Sequence, residues 1–212
     1  MNSITKVNWN TLTVQQFLDL YRLSINTTDT EQQKLENAVA IVYNLSQQQV
    51  ENLQMKKFVA MGSHAAKFLT TAIPGKAKRY ITGNGNRYKI TYNPTLLKHR
   101  QYVEVVHYAR KPIENMHLVL ASIVQPVKFK FFTQANKGEN HERIANDLLQ
   151  APVKDIYHAC VFFCKLYENL MATTQDYLVN EIMKTKQVSR TWAEKMITAS
   201  RNVSGGFIPQ QE

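Results

Sequence analysis

The stretch that decides the fold covers residues 155–184 and reads DIYHACVFFCKLYENLMATTQDYLVNEIMK. It contains neither Gly nor Pro, and Pro152 stands just before it, where a helix start tolerates a missing N–H. One set of its residues recurs at steps of three and four, which is typical of one face of an α-helix. These residues are Ile156, Cys160, Phe163, Tyr167, Leu170, Thr174 and Tyr177. Around residues 158–166 the opposite face is apolar as well, which predicts a helix buried all round at the centre of a helical domain.

Amphipathic segments flank this stretch on both sides. Three S/T-x-x-Q capping boxes, at Thr13, Thr30 and Ser46, predict helix starts, and a fourth helical run stops before Pro74. Their short connections favour antiparallel packing. Further helices are predicted between the Pro94 and Pro126 breaks and over residues 139–150, and the apolar–basic alternation of residues 127–131 suits a short strand or an extended arm. A last capping box at Thr191 predicts a final helix.

The period changes at residues 78–92, which are rich in β-branched and aromatic residues around Gly83-Asn84-Gly85-Asn86. This pattern predicts a β-hairpin in which Thr82 pairs with Arg87. One face would then be basic with a tyrosine, and the other would pack on helices. The basic face holds Lys78, Tyr80, Thr82, Arg87, Lys89 and Thr91; the other holds Ile81, Tyr88, Ile90 and Tyr92, with Arg79. Because an isolated hairpin is marginally stable, it must dock on the body or pair with a neighbouring subunit.

The predicted fold class is mainly α: a helical bundle around one long buried helix, with a small β-hairpin appendage. The 212 residues suffice for one domain with a substantial core. The predicted organisation is an N-terminal arm at residues 1–12, a single helical domain at 13–200 with the hairpin at 78–92, and a C-terminal tail at 201–212.

The positive charge is concentrated in the middle third of the chain. Residues 56–130 hold fourteen Lys or Arg against two acids, a net +12, whereas the rest holds twelve bases and fourteen acids, a net −2. Such a region predicts contact with a polyanion, either nucleic acid or an acidic protein face. A solvated surface that keeps the protein soluble is the alternative interpretation. The candidate contact residues are Lys78, Arg79, Arg87, Lys89, Lys98 and Arg100.

A DNA contact of this kind would be to the backbone, because no recognition helix with adjacent Arg, Asn and Gln is visible. Non-specific, salt-sensitive binding is therefore expected.

Catalytic and metal motifs are incomplete. His141-Glu142 begins like a zinc-binding HExxH helix, but Ala145 stands in the place of the second histidine. The histidines of the basic third have no Cys or carboxylate at ligand spacing; they are His99, His107 and His117. Neither a P-loop nor a GxSxG motif is present. We therefore predict no enzyme, no cofactor and no metal.

Two further features bear on the compartment. Cys160 and Cys164 stand four apart, which suits two small buried hydrophobes better than a disulfide framework or a redox motif. Residues 1–10 lack the apolar core of a signal peptide, and the central stretch is too polar to span a membrane. Both features predict a reducing cytoplasm, or a particle assembled there, and no membrane contact.

Several short segments occur in a fixed order from residue 88 onward. They are residues 88–92, 101–103, 114–121 with Pro126, 162–163 and 177–178. In this order they resemble a group of small proteins from tailed bacteriophages of Bacteroidota, including crAss-like phages, that are encoded with virion and tail genes. The resemblance covers half the chain and carries no catalytic residue. It implies a role in virion structure or assembly.

Charge and resemblance together predict a homo-oligomeric ring or adaptor subunit of the head-to-tail region, located in the virion and assembled in the host cytoplasm. Its partners would be other copies of itself, the portal or other tail proteins, and packaged DNA through backbone contacts. In the ring, the hairpin would complete a sheet with the adjacent subunit. A tail-assembly chaperone or packaged cargo protein is one alternative. A non-specific nucleic-acid-binding regulator is the other.

Overall fold

A computed structural model describes residues 7–127 and 140–184, and the side chains of the last helix as far as Asn169. The N-terminal half of this part is helical, and a small sheet and four more helices follow it. The elements are α1 (Val14–Ile25), α2 (Glu31–Tyr43), α3 (Gln47–Glu51), α4 (Met55–Thr70), β1 (Tyr80–Gly83), β2 (Asn86–Ile90), a 3₁₀ helix (Pro94–Leu96), α5 (His99–Tyr108), α6 (Met116–Ile123), β3 (Val124–Pro126), α7 (Asn140–Leu149) and α8 (Val153–Lys184).

The three capping boxes that start the first helices are confirmed. At Thr13, Thr30 and Ser46 the hydroxyl accepts from the backbone N–H three residues on, and the glutamine side chain there accepts from the N-cap N–H. Each box satisfies two N–H groups that a helix start otherwise leaves unpaired. The fourth box, at Thr191, lies outside the described residues, as do the predicted tail at 201–212 and most of the predicted strand or arm at 127–131.

The predicted hairpin forms with the predicted register. β1 and β2 are antiparallel, and Thr82 lies opposite Arg87. Its inner face is buried at Ile81, Tyr88 and Ile90. The mainly α class with a small β element is therefore confirmed.

A third strand was not predicted. β3 pairs antiparallel with β2 and places Val124 opposite Ile90. Its three residues follow α6 directly, so their apolar start looks like the last turn of the helix in the sequence. Because β3 pairs with the other side of β2, the hairpin is extended to three strands within the chain, and β1 and β3 are the edge strands of the sheet.

The expectation of one long helix buried all round is not confirmed. α8 has 32 residues. Ile156, Phe163 and Tyr167 on one side are buried, but Phe162 on the other exposes 45% of its surface. α8 packs mainly against α6, and also against α1 and the 3₁₀ helix, and Tyr102 of α5 meets Tyr167. The apolar run therefore forms a helix with a buried side and an exposed Phe162 on the other, within the part whose side chains are described.

The centre of the described structure is the short helix α6. Six of its eight residues are buried, and it contacts α5, α7 and α8. The start of α8 is held beside the start of α1, because Val153 N–H donates to Leu12 O (2.9 Å) and Val14 N–H to Ala151 O (3.0 Å). These bonds fix the end of α8 that faces the sheet.

Candidate polyanion-binding surface

The outer face of the sheet presents polar and basic side chains. Two residues of β1, Tyr80 and Thr82, are exposed, as are Arg87 and Lys89 of β2. Ile81 and Tyr88, which alternate with them along the strands, are buried. In an antiparallel pair, residues opposite each other lie on the same face with close side chains. Arg79 was predicted on the other face, but it is exposed before β1 and its guanidinium lies near the Tyr80 ring. We call these four exposed residues, together with Arg79, the basic sheet face.

Tyr80 is the centre of the basic sheet face. The guanidinium carbon of Arg87 lies 4.6 Å from the centre of the Tyr80 ring, and that of Arg79 lies 5.8 Å from it. Lys89 is directly opposite Tyr80 in the ladder. A cation over an aromatic ring is attracted by the ring quadrupole, so the two arginines are held without losing their charge. Three positive charges therefore gather around one exposed tyrosine.

Lys78 was predicted on the same surface, but an acid on α8 compensates its charge. Its ammonium nitrogen lies 2.8 Å from Oδ1 of Asp155, an oxygen with no other hydrogen-bond partner among the described residues. The Asp155 side chain is only 15% exposed, and Lys78 is half exposed. This ion pair ties the strand entry to the first turn of α8.

Lys98 and Arg100 lie on another element, at the start of α5. Lys98 is the N-cap residue, and its backbone N–H donates to the Gln101 side chain at 3.0 Å. Arg100 forms an exposed ion pair with Glu104 at 2.8 Å. The first turn of α5 holds no acid, so both cations stand at the positive end of the helix dipole, where they are mildly unfavourable. A bound anion would relieve this repulsion.

The sequence interpretation missed Asp147, which fixes the orientation of the hairpin. Its side chain is 5% exposed and accepts from Asn84 Nδ2 at 2.9 Å, Asn86 Nδ2 at 2.8 Å and the Tyr88 hydroxyl at 2.5 Å. Burial alone would raise the pKa of Asp147, but these hydrogen bonds and the nearby Arg143 charge outweigh it and hold the pKa below its ordinary value. The carboxylate therefore stays ionised at neutral pH and binds the turn.

A close backbone approach completes the docking of the turn on α7. A Cβ atom on Gly83 would lie 2.3 Å from the Asp147 carbonyl oxygen, so only glycine fits there. The sequence does carry one signal for this contact. Asp147 falls on the apolar stripe of α7 between Ile144 and Leu148, which is an unusual place for an acid.

A separate cavity of about 270 Å³ lies between α8 and the loop before α6. Its lining is mostly apolar and includes Pro112, Met116, Cys160 and Cys164. The two cysteines are buried and free, as the sequence predicted, and their sulfur atoms are 4.0 Å apart. Their mutual hydrogen bond and burial raise the pKa of the Cys160 thiol, which makes it a poor nucleophile.

The half-motif at His141 is partly buried and packs against α5 and α6. His141 Nε2 lies 3.0 Å from Ser122 Oγ and 3.2 Å from Leu118 O, and its ring stacks on Tyr108. Over residues 7–127 and 140–184, no cluster of three or more His, Cys, Asp or Glu side chains is placed to hold a metal ion.

The comparisons with known proteins add no relative. The chain matches no protein-family model, no curated protein and no solved structure. The resemblance to phage proteins therefore stays an expectation from the sequence. Among the described helices, none combines the length and the apolar character that crossing a bilayer requires.

Proposed function

We propose that this chain is a non-enzymatic structural protein of a tailed-phage virion that contacts a polyanion through the basic sheet face. In the form we favour, it is a homo-oligomeric ring or adaptor subunit of the head-to-tail region, next to the portal and the DNA channel. The observation that carries the polyanion contact is the grouping of Arg79, Arg87 and Lys89 around Tyr80.

The chemistry of this surface is binding without sequence readout. Arginine and lysine neutralise phosphate or carboxylate groups, and a tyrosine hydroxyl can donate to either. The side-chain amides of Asn84 and Asn86 in the hairpin turn donate to Asp147, so these donors are not available to base edges. Contact through the sheet face would therefore reach only a backbone or an acidic protein surface.

A salt titration with duplex DNA tests this proposal. Each neutralised phosphate contributes about 0.9 to the slope of log K against log salt concentration. Changing Arg79, Arg87 and Lys89 together to Gln should lower affinity for duplex DNA or heparin and flatten the slope by about 2–3. Fluorescence anisotropy at several salt concentrations measures both quantities.

The matched control changes three cations outside the basic sheet face to Gln, at Arg22, Lys56 and Lys57. These side chains lie on α1 and α4 and are exposed or partly exposed. Equal losses in the two triple variants would show that total charge, and not the basic sheet face, sets the affinity. That result would contradict the proposal and favour a solubilising surface.

Proteomics of purified virions separates the proposed assemblies. A ring or adaptor, or a packaged cargo protein, remains in the particle, whereas a tail-assembly chaperone is left behind. A non-specific nucleic-acid-binding regulator would also be absent from the particle and would bind free DNA strongly. A chain missing from intact virions would rule out the structural role.

A further inference from the structure

Three sulfur-containing side chains line the cavity between α8 and the loop before α6. Cys160 and Cys164 lie about one turn apart on α8, and Met116 is the first residue of α6, which packs against α8. All three residues are buried. Two elements of the fold therefore bring two thiols and one thioether to the same cavity.

The helix holds the two cysteines too far apart for a disulfide. Side chains four residues apart on a helix have Cβ atoms about 5–6 Å from each other, whereas a disulfide needs about 3.5–4.5 Å. The two Sγ atoms nevertheless lie 4.0 Å apart. The pair can therefore hold one atom between its sulfurs, but it cannot form a disulfide unless α8 unwinds.

The distance between the two sulfurs indicates the geometry of such a bridge. With metal–sulfur bonds of about 2.3 Å, two sulfurs 4.0 Å apart subtend an angle of about 120° at the metal. A linear bridge would need a sulfur–sulfur distance of about 4.6 Å. The spacing therefore suits trigonal coordination, which requires a third donor. Met116 lines the same cavity, and its unbranched side chain has three rotatable bonds with which to reach that position.

The set of donors selects a soft ion. Thiolate and thioether sulfurs favour Cu(I), whereas Mg(II), Ca(II) and Mn(II) prefer oxygen. Structural Zn(II) is almost always bound by four ligands in a tetrahedron. Among the described residues of the cavity lining, Lys165 is the only cation and Glu168 the only acid. Both are exposed and their charges cancel, so sulfur and not net charge decides what the cavity binds.

We propose that this cavity binds one Cu(I) ion through the thiolates of Cys160 and Cys164 and the thioether of Met116. Each cysteine releases its proton to solvent when its sulfur binds the ion, since only the thiolate is a ligand. Copper stays in the +1 state, so the step needs neither an oxidant nor a reductant. The cavity shares no residue with the basic sheet face, and the inference does not depend on the proposed function.

Competition for Cu(I) against a chromophoric chelator tests the proposal with the full reduced chain under nitrogen. We expect one Cu(I) per chain and much weaker binding of Zn(II). Cys160→Ala or Cys164→Ala should weaken Cu(I) binding about a hundredfold or more, because losing even a group that only supports a metal ligand costs about 10–100-fold. A parent protein that does not compete for Cu(I), or that binds Zn(II) as tightly, would overturn the proposal. Unchanged affinity in either cysteine variant would do the same.

Met116→Leu tests the third ligand, because leucine keeps the volume and the apolar character but has no sulfur. This variant should bind Cu(I) about tenfold more weakly. The matched control is Met61→Leu, which changes a buried methionine of α4 and should bind like the parent. Equal affinities of the two leucine variants would overturn the three-sulfur site.

X-ray absorption of the Cu(I)-loaded parent gives a result that does not depend on the folding of any variant. We expect three sulfur neighbours at about 2.3 Å, and two in Met116→Leu. Oxygen or nitrogen neighbours would assign the copper to other residues, such as Glu168, and would overturn the proposal. None of these outcomes bears on the polyanion contact, which the salt titration with duplex DNA tests separately.

Discussion

At the scale of single residues, Asp147 determines how the sheet is attached. Three donors converge on its buried carboxylate, and hydrogen bonds to a charged group contribute about 1.5–3 kcal/mol each, more when a buried partner is left unpaired. We expect Asp147→Asn to lower the free energy of unfolding by about 2–4 kcal/mol, because the new amide presents its own donors to Asn84 or Asn86. Urea denaturation measures the change.

Asp19→Asn is the matched control for that substitution. Asp19 is partly exposed and pairs with Arg22 on the surface of α1, where an ion pair contributes about 0–1 kcal/mol. Similar losses at the two positions would show that the hairpin turn does not depend on the buried carboxylate.

A second residue makes stability depend on pH. Burial, with smaller contributions from the Arg22 and His141 charges, lowers the pKa of His117 from 6.5 to about 4, and its Nδ1 is buried without a hydrogen-bond partner among the described residues. Between these two values the unfolded chain binds a proton that the folded chain does not. Stability should therefore fall by about 1–3 kcal/mol as the pH drops from 6.5 to 4.

Unfolding of the His117→Gln variant over the same pH range checks this expectation. The variant has no imidazole to protonate, so its curve should be flatter between pH 6.5 and 4. The lowered pKa of Asp147 affects stability at still lower pH. Its contribution to the free energy of unfolding is present above 3.8, the ordinary pKa of an aspartate, and is lost as the pH falls below that value. Parallel curves for parent and variant would contradict the assignment to His117.

At the scale of elements, the sequence predicted what local patterns encode. Alternation set the two faces and the register of the hairpin, and three capping boxes located helix starts. β3 was missed because three residues are too short for a period of two to show after an apolar helix. The Asp147 contacts were missed because they join residues about sixty positions apart, which no local pattern reports.

One capping box does more than start a helix. Gln16 Nε2 donates to Ile41 O near the end of α2 at 2.8 Å, so the glutamine that caps α1 also binds a carbonyl in the last turn of α2, whose other bond is a long one of 3.4 Å from Asn44 N–H. Gln33 holds the same position in the box of α2 and is exposed. We expect Gln16→Ala to cost about 1 kcal/mol more than Gln33→Ala, measured as the difference between their unfolding free energies. Equal costs would show that the bond to α2 contributes nothing.

At the scale of the whole molecule, the charge distribution indicates a basic region but does not identify which of its residues keep an unshared charge. The concentration of Lys and Arg in the middle third led to the basic sheet face. It did not show that Lys78, Arg100 and Lys111 each have an acid within ion-pair distance. Glu104 and Glu114 follow their cations by four and three residues, a spacing that the sequence shows, but Asp155 lies on another element and only the fold brings it to Lys78.

The sheet also bears on assembly, since β1 is one of its two edge strands. Ile90 N–H donates to Arg79 O. With the observed register, this places the backbone groups of Ile81 and Gly83 toward β2 and those of Tyr80 and Thr82 away from it. In the described part of the chain no strand pairs with that edge. An adjacent subunit could therefore extend the sheet along this side of β1; β3 is the other edge strand and has only three residues.

The substitution Thr82→Pro tests whether subunits pair along β1, and it should leave the hairpin intact. The Thr82 N–H points away from β2, and proline is tolerated on an edge strand where the missing donor faces outward. If subunits join through β1, the parent protein, mixed with its portal, should give masses at multiples of 24.5 kDa by mass photometry, and Thr82→Pro should remain monomeric. Thr82→Val keeps the N–H and should assemble like the parent.

Assembly of the proline variant to the same extent as the parent would show that the subunits meet elsewhere. A parent protein that stays monomeric on the portal would exclude the ring.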